Sequence, residues 1–491
     1  MPRRLPRFIP MSFSSGRRQF LSRVGCGFGA LALEAMLRSE AKANPAVAIN
    51  PVAPMQPRLS HLAPKAKSVI FLYMVGGAGS IDTWDYKPLL QKMGGQKVPE
   101  SLKKSVQNTR FANIFHGCKE ELLASPWEFK PCGQSGLMVS SLMQHTAVHA
   151  DDLCLIHSMQ ANSNNHAPAS IQMHTGEIIG GKASLGSWVT YGLGSENQNL
   201  PGYVLLFDAG PLGGATNYSN GFLPAAFQGT RLRDKGVPVL DLLPPEEFAA
   251  GQAGTFAAMK ELNMIHRAAR PDFPELDARI ASYELAYRMQ AAALEVGDLE
   301  KEPEYLREKY GLNHKNRETA SFSRKCLLAR RLVERGVRFV QVYDMMEKDG
   351  WDAHDRLKQN HERHALATDQ PVGALLGDLK ERGLLDSTLV IWASEFGRTP
   401  MEQGNAGRQH NAAGFTIWMA GGGVKAGARI GATDELGLMA VDRPLPFRDL
   451  HATVLHLLGL EYEKLYYETS GRLERLTGVQ NQAHVITEAI G

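Results

Sequence analysis

The chain's 491 residues are 43% hydrophobic and 21% charged, the balance of a globular protein with room for a large core. Its formal charge is +3, yet residues 1–43 alone set eight Lys/Arg against two Glu, so the remainder is slightly acidic. That excludes a case for nucleic acid as a partner, and no stretch reaches the roughly 18 apolar residues of a membrane helix.

The basic leader contains GRRQFLSRVGCGFGALALEAML. Arg17–Arg18 before Gln19-Phe20-Leu21, a soft Gly/Ala-rich stretch from Val24 to Leu37, and Ala41-Lys42-Ala43 predict a twin-arginine signal peptide over residues 1–43. The expected partner during export is the twin-arginine translocase. The expected location is periplasmic or extracellular, with no stable membrane span after cleavage. A Pro/Ala-rich linker, residues 44–64, has no apolar periodicity, and a single large domain, residues 65–491, follows.

Five cysteines form no CxxC pair, which argues against a zinc–thiolate or thioredoxin-type site. Cys118 and Cys132 lie close together in Gly/Pro-rich text and are a candidate pair in an oxidising compartment. Cys154 and Cys326 sit in apolar and helical runs and read as buried free thiols.

Ser68–Val75 reads as a buried strand running into GGAGSIDTWDYKP, which places Asp82 and Asp85 just past its end. Leu153–His157 is a second strand, ending in Asn162-Ser163-Asn164-Asn165-His166; IQMHTGE then reads as a helix stopped by Gly176. A strand at Tyr203–Phe207 precedes an elaboration over about 209–335, loop-rich first and then helical. The strand Val337–Tyr343 leads into DMMEKDGWDAHDR. Val372, Leu375, Leu376 and Leu379 have the spacing of an amphipathic helix, and Leu389–Ala393 is the buried strand behind it. From that strand end come Ser394, Glu395 and Arg398, then, through a loop, Arg408 and His410. A strand at Phe415–Ala420 and a last helix, FRDLHATVLHLLGL, complete the chain; His451 and His456 on that helix read as packing or capping. Alternating strands and helices predict an α/β fold with a largely parallel sheet.

Open parallel sheets bind ligands at the carboxyl ends of their strands. Four polar clusters fall there: Asp82/Asp85, Asn165/His166, Asp349/Asp352/His354, and Glu395/Arg398 with His410. Carboxylates and imidazoles converging from several strand ends suit a divalent metal, zinc or manganese being favoured by the histidines and calcium the third candidate.

The segments GGxxSxDTWDYKP, NHxPASIQMHTG, LLARRLVERGVRFVQ, GWDAH, LVIWASEFGRTP, GRQH, WMAGGGVKAG and DLHATVLHLLGL carry a specific resemblance. From about Lys67 onward the chain resembles an exported, sulfatase-like domain-of-unknown-function family of the alkaline-phosphatase superfamily, abundant in planctomycete-type bacteria. The resemblance implies an alkaline-phosphatase-like three-layer sandwich, its mostly parallel central sheet flanked by helices, with a metal site at the strand ends. In superfamily sulfatases and phosphodiesterases the nucleophile stands nine residues before the Thr of a TG pair; here that position is His166. Formylglycine chemistry needs Cys or Ser there, so His166 is left as metal ligand, general base or nucleophile, with Asn165 beside it as a further catalytic candidate. Ser394-Glu395-Phe396-Gly397 stands where relatives have an SDHG-like element, so Glu395 replaces an aspartate ligand and Phe396 cannot replace a histidine. Asp352 (or Asp349), His354 and His410 resemble the Asp, His, His set of the better-kept metal site, and Asp82 is carried as a ligand. Arg398 and Arg408 would hold anionic oxygens bidentately. Relatives commonly have Asp before the last histidine and Pro-Ser after the first Gly-Gly; this chain has Gln409 and Ala78-Gly79. The implied function is an exported metal-dependent hydrolase of phosphate or sulfate esters, with polysaccharides as the substrate class in view. The alternative is a non-catalytic binding protein for anionic glycans on a degenerate hydrolase fold.

Overall fold

Ser68–Met74 (β1) is the axis of the sheet because every residue in it is buried, so it needs a parallel neighbour on each edge and a helical layer on each face. The computed structural model describes residues 49–491 except 51–52, 237, 240–242, 244–245, 271–273, 345–349 and 479–482. The leader with Arg17, Arg18 and Cys26, the start of the linker, and Asp349 lie outside the described residues.

The other strands of the main sheet are Leu153–Gln160 (β2), Tyr203–Leu206 (β3), Thr230–Leu232 (β4), Phe339–Asp344 (β5) and Thr388–Ala393 (β6). Gly397–Gln403 (β7) and Gly407–Asn411 (β8) form a separate hairpin before Phe415–Ala420 (β9), Arg429–Ile430 (β10) and Leu445–Pro446 (β11) rejoin the sheet. The order is β10-β2-β9-β6-β1-β5-β3-β4, with β11 also on β2. Leu72 of β1 lies opposite Val342 of β5 and Trp392 of β6, both parallel. Only β9 runs against its neighbours β2 and β6, so β1, β2, β5 and β6 all deliver their carboxyl ends to one edge.

Alternation along β1 divides the core. Ile70, Leu72 and Met74 face Arg317–Glu334 (α3) and Leu357–Glu381 (α4), through Phe322, Leu327, Val372 and Leu375. Phe71 and Tyr73 point the other way, against His174 of His166–Thr175 (α1). Leu185–Leu193 (α2) and Phe447–Leu457 (α5) lie in chain order after it. The architecture is α/β, with helices on both faces of a mostly parallel sheet. The helix α3 starts where Asn316 caps it, accepting from Glu318 N and Thr319 N at 2.8 and 3.1 Å. Gly176 ends α1 at φ +83°, with its backbone so close to Leu476 O that a Cβ would lie 2.3 Å from that oxygen.

Three differences from the sequence expectation have physical causes. The helix α4 begins at Leu357 and runs through Pro371, whereas apolar periodicity showed only its second half. Its first turns bury His361, His364 and Thr368, polar residues that break the apolar pattern. The segment after β6 is a hairpin, not a loop; its Gly- and charge-rich text lacks the alternation of a half-buried strand. Cys118 and Cys132 do not pair: Cys118 Sγ donates to Ile114 O at 3.3 Å, Cys132 Sγ to Lys130 O at 3.5 Å, and both are free thiols. Cys154 and Cys326 are buried and free. Among the described residues no helix is long and apolar enough to cross a membrane.

Candidate metal centre

Two loops at the carboxyl edge of the sheet meet the β7–β8 hairpin. The turn after β2 carries His166, the first residue of α1; the segment after β5 carries Asp352 and His354; β8 carries His410. One ligand atom from each of these four side chains lies within 4.8 Å of the others. The Nε2 atoms of His354 and His410 approach Asp352 Oδ1 at 3.1 and 3.3 Å, and His166 Nε2 approaches Oδ2 at 3.2 Å.

Each imidazole is anchored from behind. His166 Nδ1 donates to Glu395 Oε1 at 2.6 Å, His354 Nδ1 to Gln403 Oε1 at 2.5 Å, and His410 Nδ1 to Asn164 O at 2.7 Å. A neutral imidazole that donates from Nδ1 keeps its Nε2 as an acceptor. Three Nε2 lone pairs therefore face the two oxygens of one carboxylate. His166 Nε2 is buried and has no hydrogen-bond partner among the described residues. Acceptors facing acceptors repel unless a cation or protons stand between them, and outer acceptors that fix the Nδ1–H tautomer are the usual support of metal-bound histidines. The four residues thus fit a divalent ion by donor type, tautomer and spacing.

The electrostatics agree. Burial alone would lower the pKa of His166, but Asp352 and Glu395 on either side lift it to about 9. Burial would raise Asp352, yet contacts with His166, His410 and Arg398 hold it well below the carboxylate range. Glu395 is fully buried and still held below its ordinary value by His166. Burial takes His410 down to about 4 despite Asp352. The two carboxylates thus favour a positive charge at His166 Nε2, a proton or a metal ion in its place, while His410 stays neutral and keeps its Nε2 lone pair.

Several residues expected in the site are committed elsewhere. Arg398 is buried and donates to Gly77 O at 2.8 Å, Arg408 O at 3.2 Å, Gly76 O, and Asp352 Oδ1 at 2.5 Å. It ties the turn after β1 to the hairpin and orients the shared carboxylate, so its guanidinium is not open to an anionic ligand. Arg408 is fully buried, with Nε and Nη2 on the two oxygens of Asp82 at 2.8 and 3.0 Å. That bidentate pair removes Asp82 from the ligand set and Arg408 from any role as an anion clamp. Asp85 accepts from Thr433 Oγ1 at 2.5 Å and pairs with Lys87 at 3.0 Å. Glu395 stands behind His166, accepting from its Nδ1 and from Gly76 N, rather than among the four. Asn165 is exposed at the start of α1, and its side chain makes no cap hydrogen bond.

Residues 66–490 match the family described as "Protein of unknown function (DUF1501)". The chain belongs to that family. No curated protein matches it. Among solved structures it is similar to the PsFucS1 sulfatase from Pseudoalteromonas sp., at 13% identity and TM-score 0.35, over 80% of this chain and 68% of that one. A mutant TAB5 alkaline phosphatase with Mg in its M3 site is similar at 11% identity and TM-score 0.33, covering 76% and 96%. A protein in the alkaline phosphatase superfamily from Vibrio parahaemolyticus is similar at 9% identity and TM-score 0.35, covering 89% and 81%.

Two supports of the site were not read from sequence. Asn164 holds His410 with a main-chain carbonyl, which any residue type would supply. Gln403 reaches His354 only because the hairpin folds back. Gln409, where the resemblance led to an expected Asp, donates to His116 O at 2.9 Å and accepts from His410 N at 3.0 Å, and the Asn164 carbonyl orients the His410 ring. Phe396 packs against the rings of both His166 and His410, at 4.8 and 4.6 Å between centroids, fixing their planes.

Proposed function

We propose that the protein is an exported, metal-dependent hydrolase of phosphate or sulfate esters, with anionic polysaccharides as the substrate class. The observation that carries this reading is the trio of imidazoles, each held at Nδ1 with Nε2 turned onto Asp352. A divalent ion held there, with zinc or manganese best suited to three nitrogens and one oxygen, would supply Lewis acidity toward an ester oxygen and a nucleophilic water at neutral pH.

His166, Asp352, His354 and His410 act as ligands. His354 is the most exposed of them, its side chain 36% accessible, so substrate approaches from its side. Arg398 positions Asp352. Glu395 positions His166 and holds the Nδ1 proton, which favours the ligand role for that imidazole over nucleophile or base. The twin-arginine leader would carry the folded chain, with its metal, across the membrane.

A second reading has its own support. With Arg398 and Arg408 enclosed, neither guanidinium reaches an ester oxyanion, as a binding protein for anionic glycans on the same scaffold would tolerate. The test is turnover by metal-loaded protein on aryl sulfates, phosphate monoesters and phosphodiesters, with His354→Ala as control. The hydrolase reading predicts turnover of at least one ester class that vanishes in the variant. Binding of sulfated glycan without turnover of any ester selects the second reading.

A further inference from the structure

At the other end of α1, roughly 14 Å along the helix from His166, lies a polar cleft of about 580 Å³ that the metal centre does not use. Its walls include Lys182, Trp188, Phe222, Arg472, Glu474 and Arg475, with Glu177 also lining it. Lys182 Nζ is neutralised by Glu474 at 2.7 Å. Arg475 is different: its Nε is sealed from solvent and has no hydrogen-bond partner among the described residues. Arg472, exposed on the hairpin strand Arg472–Glu474, has no carboxylate partner among the described residues. Three cations against two carboxylates leave the lining one positive charge, carried by the two guanidiniums. Between these and α2 stand aromatic walls. Phe222 stacks on Tyr467 at 6.0 Å and 18°, and Trp188 meets Phe222 at 5.8 Å.

Neither Arg472 nor Arg475 has a carboxylate partner among the described residues, so the two guanidiniums lining the cleft lack a counter-ion. Planar guanidiniums match sulfate and phosphate oxygens bidentately, and aromatic walls favour a ring lying against them. The volume falls in the range of small-ligand sites. We propose that this cleft binds a sulfate or phosphate ester carried on a ring, sugar or nucleoside, independently of the metal centre. In a hydrolase or a binding protein alike, such a site would hold a second portion of an anionic ligand away from the ion.

The test is calorimetric titration of the mature protein with galactose 6-sulfate, adenosine monophosphate and uncharged galactose, each with and without chelator. One equivalent of at least one of the two anions should bind, unaffected by chelator or by His354→Ala, while galactose alone does not. Binding of only the sulfated sugar assigns the site to saccharides; binding of only the nucleotide assigns it to nucleosides. Arg475→Gln should weaken binding by about tenfold or more, the scale of a lost charge-assisted hydrogen bond. Arg472→Gln, an exposed change that spares the fold, should weaken it in the same direction. Failure of both anions to bind overturns the proposal, as does equal binding of galactose or indifference to both arginine changes. Binding that disappears with chelator overturns it too, placing the ligand at the metal while leaving the hydrolase reading untouched.

Discussion

Burial converts several charged residues at the centre from reagents into structure. Arg408 and Asp82 are both fully enclosed and share two hydrogen bonds, an arrangement in which removing one partner strands the other charge. Arg408→Ala should therefore lower the unfolding free energy by about 3–5 kcal/mol. Replacing the pair together, Asp82→Leu with Arg408→Met, should recover much of that loss; chemical denaturation of the three variants checks both. Gly77, at φ +77°, is constrained in the same neighbourhood, because a Cβ there would lie 2.8 Å from the Phe396 ring that fixes His166 and His410. Gly77→Ala should displace that ring and weaken metal retention even though residue 77 offers no ligand, which a chelator competition would show.

At the scale of elements, a histidine of α5 joins that helix to α1, and a second buried histidine lies within α1. His451 of α5 donates from Nε2 to Met173 O at 2.7 Å, and His174 of α1 donates from Nδ1 to Ser170 O at 2.6 Å. Burial drives both down to about 4, and each leaves its other nitrogen without a hydrogen-bond partner among the described residues. A histidine whose folded pKa lies below the unfolded value of about 6.5 binds its proton more readily in the unfolded chain. Its contribution is therefore complete above that value and lost as the pH falls toward 4. At pH 5 the pair should cost the fold roughly 2 kcal/mol per histidine relative to pH 7. Urea midpoints across that window should fall, and His451→Gln should flatten the slope; a slope unchanged in the variant would remove His451 from the explanation. The same elements show what the sequence can reveal. The strands β1, β2, β5, β6 and β9 are apolar runs whose ends are marked by sudden polarity, so His166, Asp352, His354 and His410 could be placed at one sheet edge. What those residues do depends on partners hundreds of positions away. Asp82 meets Arg408, and His166 meets Glu395, so no local pattern distinguishes a ligand from a buried ion pair. The hairpin β7–β8 and the first half of α4 were hidden for the related reason that their buried positions are polar.

For the whole molecule, helices on both faces of the sheet hold two loops and a hairpin at one edge, and the proposed leader would direct the folded product to export. Replacing both Arg17 and Arg18 by Lys should leave folded precursor in the cytoplasm; normal export of that variant in a fractionation experiment would remove the twin-arginine reading. Because the proposed ligands come from two separate loops and a hairpin, filling the centre should also stabilise the sheet edge as a unit, and chelation should lower the melting temperature of the wild type. The most direct measurement is elemental analysis of purified mature protein beside His166→Ala, after identical dialysis. The account predicts about one divalent ion per wild-type chain and its loss from the variant, since His166 Nε2 is proposed as a ligand. Wild-type protein that holds no ion after reconstitution with zinc or manganese, or a variant that retains it as tightly, would contradict the metal centre described above.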